Sequence, residues 1–491
     1  MTTLTELVTQ CESEQLHLSG AIQSWGALLR FDATGNVTHA SANLADFVGT
    51  SAEAALAGTA DWGWLLGDLG LLPEEPGASR IRHHIQEPAD GLLDVRLIRD
   101  AQGGMLAEIE RPFHGENAID LHTLQRPLLR TPESEDGLAA YHQPLLDGIA
   151  ALSSFDRLMI YRFHDDWSGE VVAEKTTPSL GSYLQLRFPA SDIPEIARQL
   201  YLLNPCRHIP DAGASPVPLL GRADMPADLT YTDLRSVSPV HLTYLANMGV
   251  GASFSLPIRV AGRLWGLVAC HHLTPCTISA AHRQACVTLV SAFNLGLSSW
   301  LASRRMQMVD SLDRRVDKVL EAIAQLPNPL DGIEFSGQTL IEALGAEGFA
   351  LAVGDEIVLV GNTPQLEEMS LIDAWFSDRR QESLFATDRL ADVFGDNPLL
   401  LAVASGLMAI KANSPRSGRV RFYWFRPEEP YSVQWAGNPN KPMTEQAGAI
   451  MLSPRRSFEK WVEVRTGYSR PWSDADRMTA AKFRNTLLRW L

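Results

Sequence analysis

Along residues 156–163, DRLMIYRF, Leu158, Ile160 and Arg162 alternate with Met159, Tyr161 and Phe163. That period of two predicts a strand. Two further runs, GASFSLPIRVAG and GRLWGLVACHH, predict a pair of strands turning tightly at Ala261-Gly262. Upstream, ALLRFDATGNVTHA at 27–40 predicts two short strands around an Asp/Gly/Asn turn, and LLDVRLIRD at 92–100 another. Downstream, GFALAVGDEIVLVG predicts a hairpin around Gly354-Asp355. Between the strand-rich regions the period lengthens. From Gly296 to Leu326 there is no Pro or further Gly, and Met308, Leu312, Val316, Val319, Ile323 and Leu326 recur at three or four residues. This predicts a helix of roughly 45 Å at 1.5 Å per residue, longer than one small domain needs; it is expected to bridge two domains, an ordinary core helix being the alternative. The pattern thus reads as α+β in about three domains, with a break near RPFHGENAID and a third domain past residue 330. From Arg421 to Trp472 the chain is rich in Arg, Pro and Trp and too long for a plain connection, so a protruding arm is expected there.

Composition narrows the function classes. With 491 residues the chain exceeds one core, and 45% hydrophobic with 20% charged residues is a globular balance. A formal charge of −16, with its cations scattered, repels phosphate backbones and anionic lipid; neither nucleic acid nor membrane is expected as a partner. The N-terminus lacks a basic and apolar leader pattern, and no run of about 20 uninterrupted apolar residues occurs, so a cytoplasmic location is expected. Cys11, Cys206, Cys270, Cys276 and Cys286 are few, odd in number and irregularly spaced, which disfavours a disulfide framework.

Three constellations carry candidate chemistry. In RFPASDIPEIARQLYLLNPCRHIPD, Asp192 stands where a helix N-cap belongs, with Pro194 and Glu195 early in the helix. A capped helix accounts for Asp192 but leaves Tyr201, Arg198 and Arg207 unaccounted for; Tyr201 and Arg207, a hydroxyl and a planar fork, are suited to a carboxylate or phosphate. In LRSVSPVHLTYLANMG, Arg235, Ser238, His241 and Tyr244 follow, the last two on one face if the segment after Pro239 is helical; a histidine there is as readily a core residue. The third, LWGLVACHH, ends on His271-His272, whose side chains point to opposite faces of a strand and so do not share one metal ion easily.

Taken together, PASDIP, DLRSVSPVHLTYLANMG, LWGLVACHH, WAGNP and PRRSF resemble the photosensory core of bacterial phytochromes, built of PAS, GAF and PHY domains, over essentially the whole chain. The resemblance sets the domain bounds at 1–115, 116–305 and 306–491, and implies that biliverdin lies in the GAF pocket, thioether-linked to Cys11. It further implies that the Asp192-Ile193 turn offers a carbonyl to the pyrrole N–H groups, that His241 sits beside them and that His271 bonds the D-ring carbonyl. Tyr201, Arg207 and Arg235 would anchor one propionate, Ser238, Ser253 and Ser255 the other, and Tyr161 and Tyr244 would wall the D ring. In the arm, Arg455 would pair with Asp192 in one state and Ser457 in the other, beside Trp435 of WAGNP, as the arm refolds between hairpin and helix. A lasso of 212–230 around the N-terminal segment is implied too. Physically, an elongated conjugated plane with two carboxylates needs such cations and hydroxyls at its edge and an apolar slot for its rings.

Ser19, Ser24 and Trp25 depart from the family pattern, which has Pro-Gly and Gln-Pro-His-Gly in this segment, and DDWSG at 165–169 lacks a usual histidine. The expected function is a red/far-red photoreceptor core, without catalysis of its own, acting as a homodimer. Its output module, such as a histidine kinase with a response regulator as partner, is expected to be missing after the uncapped final helix. The rival reading is a GAF-based sensor of a cyclic nucleotide or metabolite, and Cys11 separates the two.

Overall fold

A computed structural model describes residues 14–67, 69–86, 91–113, 120–221, 226–324, 336–414, 418–439, 443–446, 449–452 and 457–487. Cys11 and Arg455 lie outside them. Two compact units emerge, one of Met1–Trp300 with Gln434–Trp461, the other of Leu301–Val433 with Val462–Leu491. The architecture is mixed α+β with antiparallel sheets flanked by helices, as the periodicity predicts.

Among the described residues the first unit contains two large sheets and a separate two-stranded one. In the first, the strands run in the order Ala21–Ile22, Val217–Gly221, Val37–Ser41, Gly26–Phe31, Met105–Glu110, Leu92–Arg99 and Ser79–Gln86. The second strand comes from nearly 200 residues downstream. Pro218 pairs with Ala21 on one side while Leu219 pairs with Ser41 on the other. Across from it, the amide of Leu229 donates to the His17 carbonyl at 2.8 Å, that of Ser236 to Ala21 at 3.1 Å and that of Gln23 to Leu234 at 2.7 Å. Residues 17–23 are thus bonded on both sides by the 217–236 loop, the arrangement implied by a lasso.

The second sheet places Arg207–Ile209, Ala252–Val260, Arg263–His272, Arg157–Phe163, Gly169–Thr176 and Arg187–Phe188 side by side. Ala261 at φ 49° and Gly262 at φ 76° make the tight turn between its two longest strands, the left-handed pair that suits a two-residue hairpin. Trp435 joins this sheet by parallel pairing with Arg187. The helix expected from Gly296 instead spans Ala280–Ala324, 45 residues. Gly296 does not end it, because a Cβ there would overlap the Tyr141 hydroxyl; the glycine admits a ring that stacks on Phe293 with centroids 4.9 Å apart and donates to the Leu128 carbonyl at 2.6 Å. Residues Ala280–Asp310 are long and apolar enough to cross a membrane, yet half of the most apolar window is buried, with Cys286, Leu289, Phe293 and Leu297 in the core. Such burial is the mark of a packed core helix.

In the second unit, strands Glu356–Gly361, Gly348–Val353, Gly418–Arg426, Gly406–Ser414 and Leu384–Thr387 form one sheet. This corrects the expected extent of the arm: residues 421–426 form part of a strand hydrogen-bonded on both sides, with Phe422, Tyr423 and Phe425 fully buried. The cation at its start is neutralised locally, since Arg421 binds Asp373 through both carboxylate oxygens at 2.5 and 2.8 Å. The two-stranded sheet, in which Met443–Gln446 pairs antiparallel with Ala449–Leu452, lies in the part of the arm that belongs to the first unit.

Candidate functional site

Twelve of the residues singled out by the sequence line a single cavity of about 440 Å³ in the first unit: Tyr161, Asp192, Ile193, Tyr201, Arg207, Arg235, Ser238, His241, Tyr244, Ser253, Ser255 and His271. Strand alternation puts Ser253 and Ser255 on the same face as His271, which pairs with Ser253 across the ladder. Helix Pro239–Asn247 carries His241 and Tyr244 on one side, their rings 6.1 Å apart and nearly parallel. Helix Glu195–Leu203 supplies Tyr201. Tyr161 stands edge-on to Phe163 at 5.3 Å, and a Cβ at Gly169 would overlap its ring, so that glycine sets where the ring lies.

One end of the cavity is cationic. Arg207 donates to the carbonyls of Asp233, Arg235 and Ser236 at 2.7, 2.5 and 3.2 Å, and Arg235 to those of Leu229 and Thr230 at 3.2 and 3.3 Å. These bonds aim the guanidiniums, but among the described residues neither forms an ion pair. Burial, and then the neighbouring Arg207, pull the Arg235 guanidinium down to about 9, more than the nearby Asp233 and Glu108 restore. The Tyr201 phenol is pushed up by burial, opposed by a hydrogen bond with Ser255.

The imidazoles that line the cavity are neutral. Burial first, and the charge of Arg157 second, take His271 down to about 3; burial and Arg207 take His241 to about 4. Both imidazoles are therefore uncharged near neutrality. The Nδ1 of His271 is buried with no hydrogen-bond partner. Leaving such an atom unpaired costs about 1–3 kcal/mol, a cost that a ligand bearing a complementary polar group would remove. A cavity lined by two guanidiniums, several hydroxyls and two buried neutral imidazoles fits a large conjugated molecule with acidic side chains. His272, in contrast, turns away to Asp156, Nε2 to Oδ2 3.5 Å.

Asp192 is placed differently from the expectation. Helix Glu195–Leu203 has Pro194 at its N-cap position and no side-chain cap; Asp192 ends a preceding 3-10 turn, its amide bonded to the Pro189 carbonyl at 3.0 Å. Its carboxylate instead accepts from the Tyr244 hydroxyl at 3.0 Å. The same tyrosine meets the arm, with Phe458 edge-on at 5.3 Å. Trp435 is buried nearby in the sequence of WAGNP, and Ser457, exposed, has its carbonyl where a Cβ at Gly437 would collide. Two lining residues had no signal in the sequence. Glu14 accepts from Ser238 Oγ at 2.9 Å, and Cys206 has its thiol pushed far up by burial and by Asp233. Trp25, the departure from the usual histidine, packs edge-on to His208 at 5.4 Å and under Arg283 at 5.0 Å, outside the cavity lining.

Three family models match the chain in order, marking it as a sensory module. Residues 11–110 match the PAS fold family, 141–295 the GAF domain and 312–491 the phytochrome region. The bacteriophytochrome of Xanthomonas campestris is 32% identical over 497 residues, covering 96% of this chain and 77% of that protein. Cyanobacterial phytochrome A of a Nostoc species is 32% identical over 500 residues, covering 98% of this chain and 65% of that protein. The Stigmatella aurantiaca phytochrome photosensory core module superposes with TM-score 0.82 at 30% identity, over 98% of this chain and 97% of that one. The chain belongs to the phytochrome family. It spans between 46% and 65% of the cyanobacterial phytochromes it matches.

Proposed function

We propose that this chain is the photosensory part of a red/far-red light receptor that holds biliverdin in the cavity, tethered by a thioether to Cys11. The observation that carries the reading is the buried Nδ1 of His271, unpartnered among the described residues, in a cavity also lined by Arg207 and Arg235, neither of which forms an ion pair among those residues. When bound, the pigment supplies visible-light absorption and a double bond about which light drives rotation. The residues do the rest. Arg207, Arg235 and Tyr201 hold one carboxylate, and Ser238, Ser253 and Ser255 the other. The carbonyl of Asp192 and the neutral ring of His241 accept from pyrrole N–H groups. His271 donates to the terminal ring's carbonyl, while Tyr161, Tyr244 and Ile193 exclude water and limit how that ring turns.

The signal leaves through Asp192. Tyr244 touches both the Asp192 carboxylate and Phe458 of the arm, so a change at the terminal ring alters what that carboxylate offers to Arg455 or Ser457, with Trp435 anchoring the arm's base on Arg187. A local electrostatic change biasing a two-state segment is a well-founded switch design. We assign residues 1–115, 116–305 and 306–491 to the three domains. Homodimerisation, a cytoplasmic location and an output module of the histidine-kinase type complete the proposal; the chain itself would perform no catalysis. A cyclic-nucleotide sensor is disfavoured by membership of the phytochrome family.

The test mixes apoprotein with biliverdin and records absorption before and after red light, with a denaturing gel for a covalent adduct. A coloured, photoconverting adduct is expected, lost as an adduct but not as a complex in Cys11→Ser. A protein that stays colourless, or takes up pigment and ignores light, overturns the proposal.

A further inference from the structure

The turn carrying Asp192 is braced from outside the cavity by two residues that the sequence patterns leave unused. Trp167 sits in the connection between Arg157–Phe163 and Gly169–Thr176 at φ 60°. A bulky aromatic residue in the left-handed region is an outlier that persists only where its surroundings hold it there. Its ring packs edge-on to Phe163 at 5.7 Å, and the guanidinium of Arg198 lies 4.6 Å from its centroid. Tryptophan is the best aromatic partner for such a cation. Arg198 is 9% exposed and donates through Nη1 to the Ile193 carbonyl at 2.6 Å. Ile193 lies between Asp192 and Pro194, and all three line the cavity. The helix that follows has no side-chain cap, so this cation does from its first turn what a cap does elsewhere: it fixes the entry of the chain.

We infer that Trp167 is a positioning residue of the chromophore site: its ring holds Arg198 on the Ile193 carbonyl and so fixes the peptide planes of the Asp192-Ile193-Pro194 turn. What the cavity holds rests on the function proposed above; the bracing itself does not. The carbonyl that is to accept pyrrole N–H groups is then oriented by a partly exposed ring on the far side of the turn, at a position where the family resemblance assigns no role.

Trp167→Gly removes the ring and at the same time relieves the left-handed backbone, so any loss it causes does not come from new strain. Trp167→Phe keeps an aromatic face. In the apoprotein, amide hydrogen exchange at Asp192, Ile193 and Arg198 should quicken about tenfold in Trp167→Gly and in Arg198→Lys, and stay near wild type in Trp167→Phe. In the biliverdin-loaded protein, Trp167→Gly should lower by about one pH unit the apparent pKa at which the long-wavelength band bleaches, a tenfold loss of proton affinity, at unchanged pigment uptake. Equal exchange in Trp167→Gly and wild type overturns the inference whatever the pigment does. Faster exchange with an unmoved titration overturns it too, since the ring would then brace the turn without bearing on the site. A wild type that never colours overturns the pigment reading instead, and the exchange measurement still decides whether the brace exists.

Discussion

Two clusters of buried polar groups lie in the first unit, and they are built on opposite rules. Beneath the lasso, Arg283 meets Glu110 at 2.5 Å and Asp233 at 3.8 Å under the face of Trp25. Asp233 also accepts the His208 amide at 2.9 Å, and Glu108 accepts from the Thr232 hydroxyl, from the amides of Asp233 and Leu234 at 2.6 and 3.2 Å, and from Arg96 at 3.3 Å. Every charge there has an opposite within the chain. In the cavity, among the described residues, two guanidiniums lack an ion pair and an imidazole nitrogen lacks a hydrogen-bond partner. Burial alone therefore does not mark a site, and neither does an unpaired nitrogen, since both ring nitrogens of His208 beside the first cluster lack a partner among the described residues; the cavity differs in setting unpaired cations and polar groups around open space.

Breaking the self-satisfied cluster should cost most. Arg283→Met leaves Glu110 and Asp233 buried without their cation, a loss of about 3–5 kcal/mol in urea unfolding of the apoprotein. A loss below 1 kcal/mol would mean that the cluster is not closed.

Acid should come next. His142 is buried with neither ring nitrogen bonded, and burial first, then Arg162, lowers it to about 4; His241 and His271 are lowered likewise. A histidine whose folded pKa lies below its unfolded value of about 6.5 takes up its proton first in the unfolded chain. Stability is then complete above pH 6.5 and falls as pH drops toward 4, by up to about 1.4 kcal/mol per pH unit for each such group. His142→Phe should flatten that slope in apoprotein unfolding between pH 6.5 and 4, and an unaltered slope would show that His142 is not buried neutral.

Gly169→Ala probes the cavity wall. The added methyl meets the Tyr161 ring, and overpacking of this kind costs about 1–3 kcal/mol. Red-light conversion of the loaded protein should change along with the melting temperature. The smallest effect belongs to the unmet group. His271→Ala removes an Nδ1 that has no partner, so apoprotein stability should move by less than about 1 kcal/mol while photoconversion weakens; a large stability loss with intact photoconversion would reverse the contrast between the two clusters.

Much of this was legible in residue order. Alternation located Arg157–Phe163, and apolar runs beside turn residues located Gly26–Phe31, Ala252–Val260 and Arg263–His272, because strand and turn residues differ in kind over a few positions. The cavity residues were legible through motif and family resemblance rather than through periodicity. Three readings failed for reasons of packing. Gly296 looked like a helix boundary but is a space for Tyr141; 421–426 looked like an arm because its arginine gave no hint of Asp373 waiting 48 residues upstream; and Asp192 looked like a cap, although its carboxylate goes to Tyr244, 52 residues away.

Local order along the chain settled which segments are strands or helices and which side chains carry cations, hydroxyls and imidazoles, because those depend on neighbours a few positions apart. Whether each polar group would find a partner was decided only in three dimensions. Arg283 and Arg235 are the same residue type, both buried, yet one is met by carboxylates from distant segments and the other is not. That difference in long-range pairing separates a structural ion cluster from a pocket built to receive an anion.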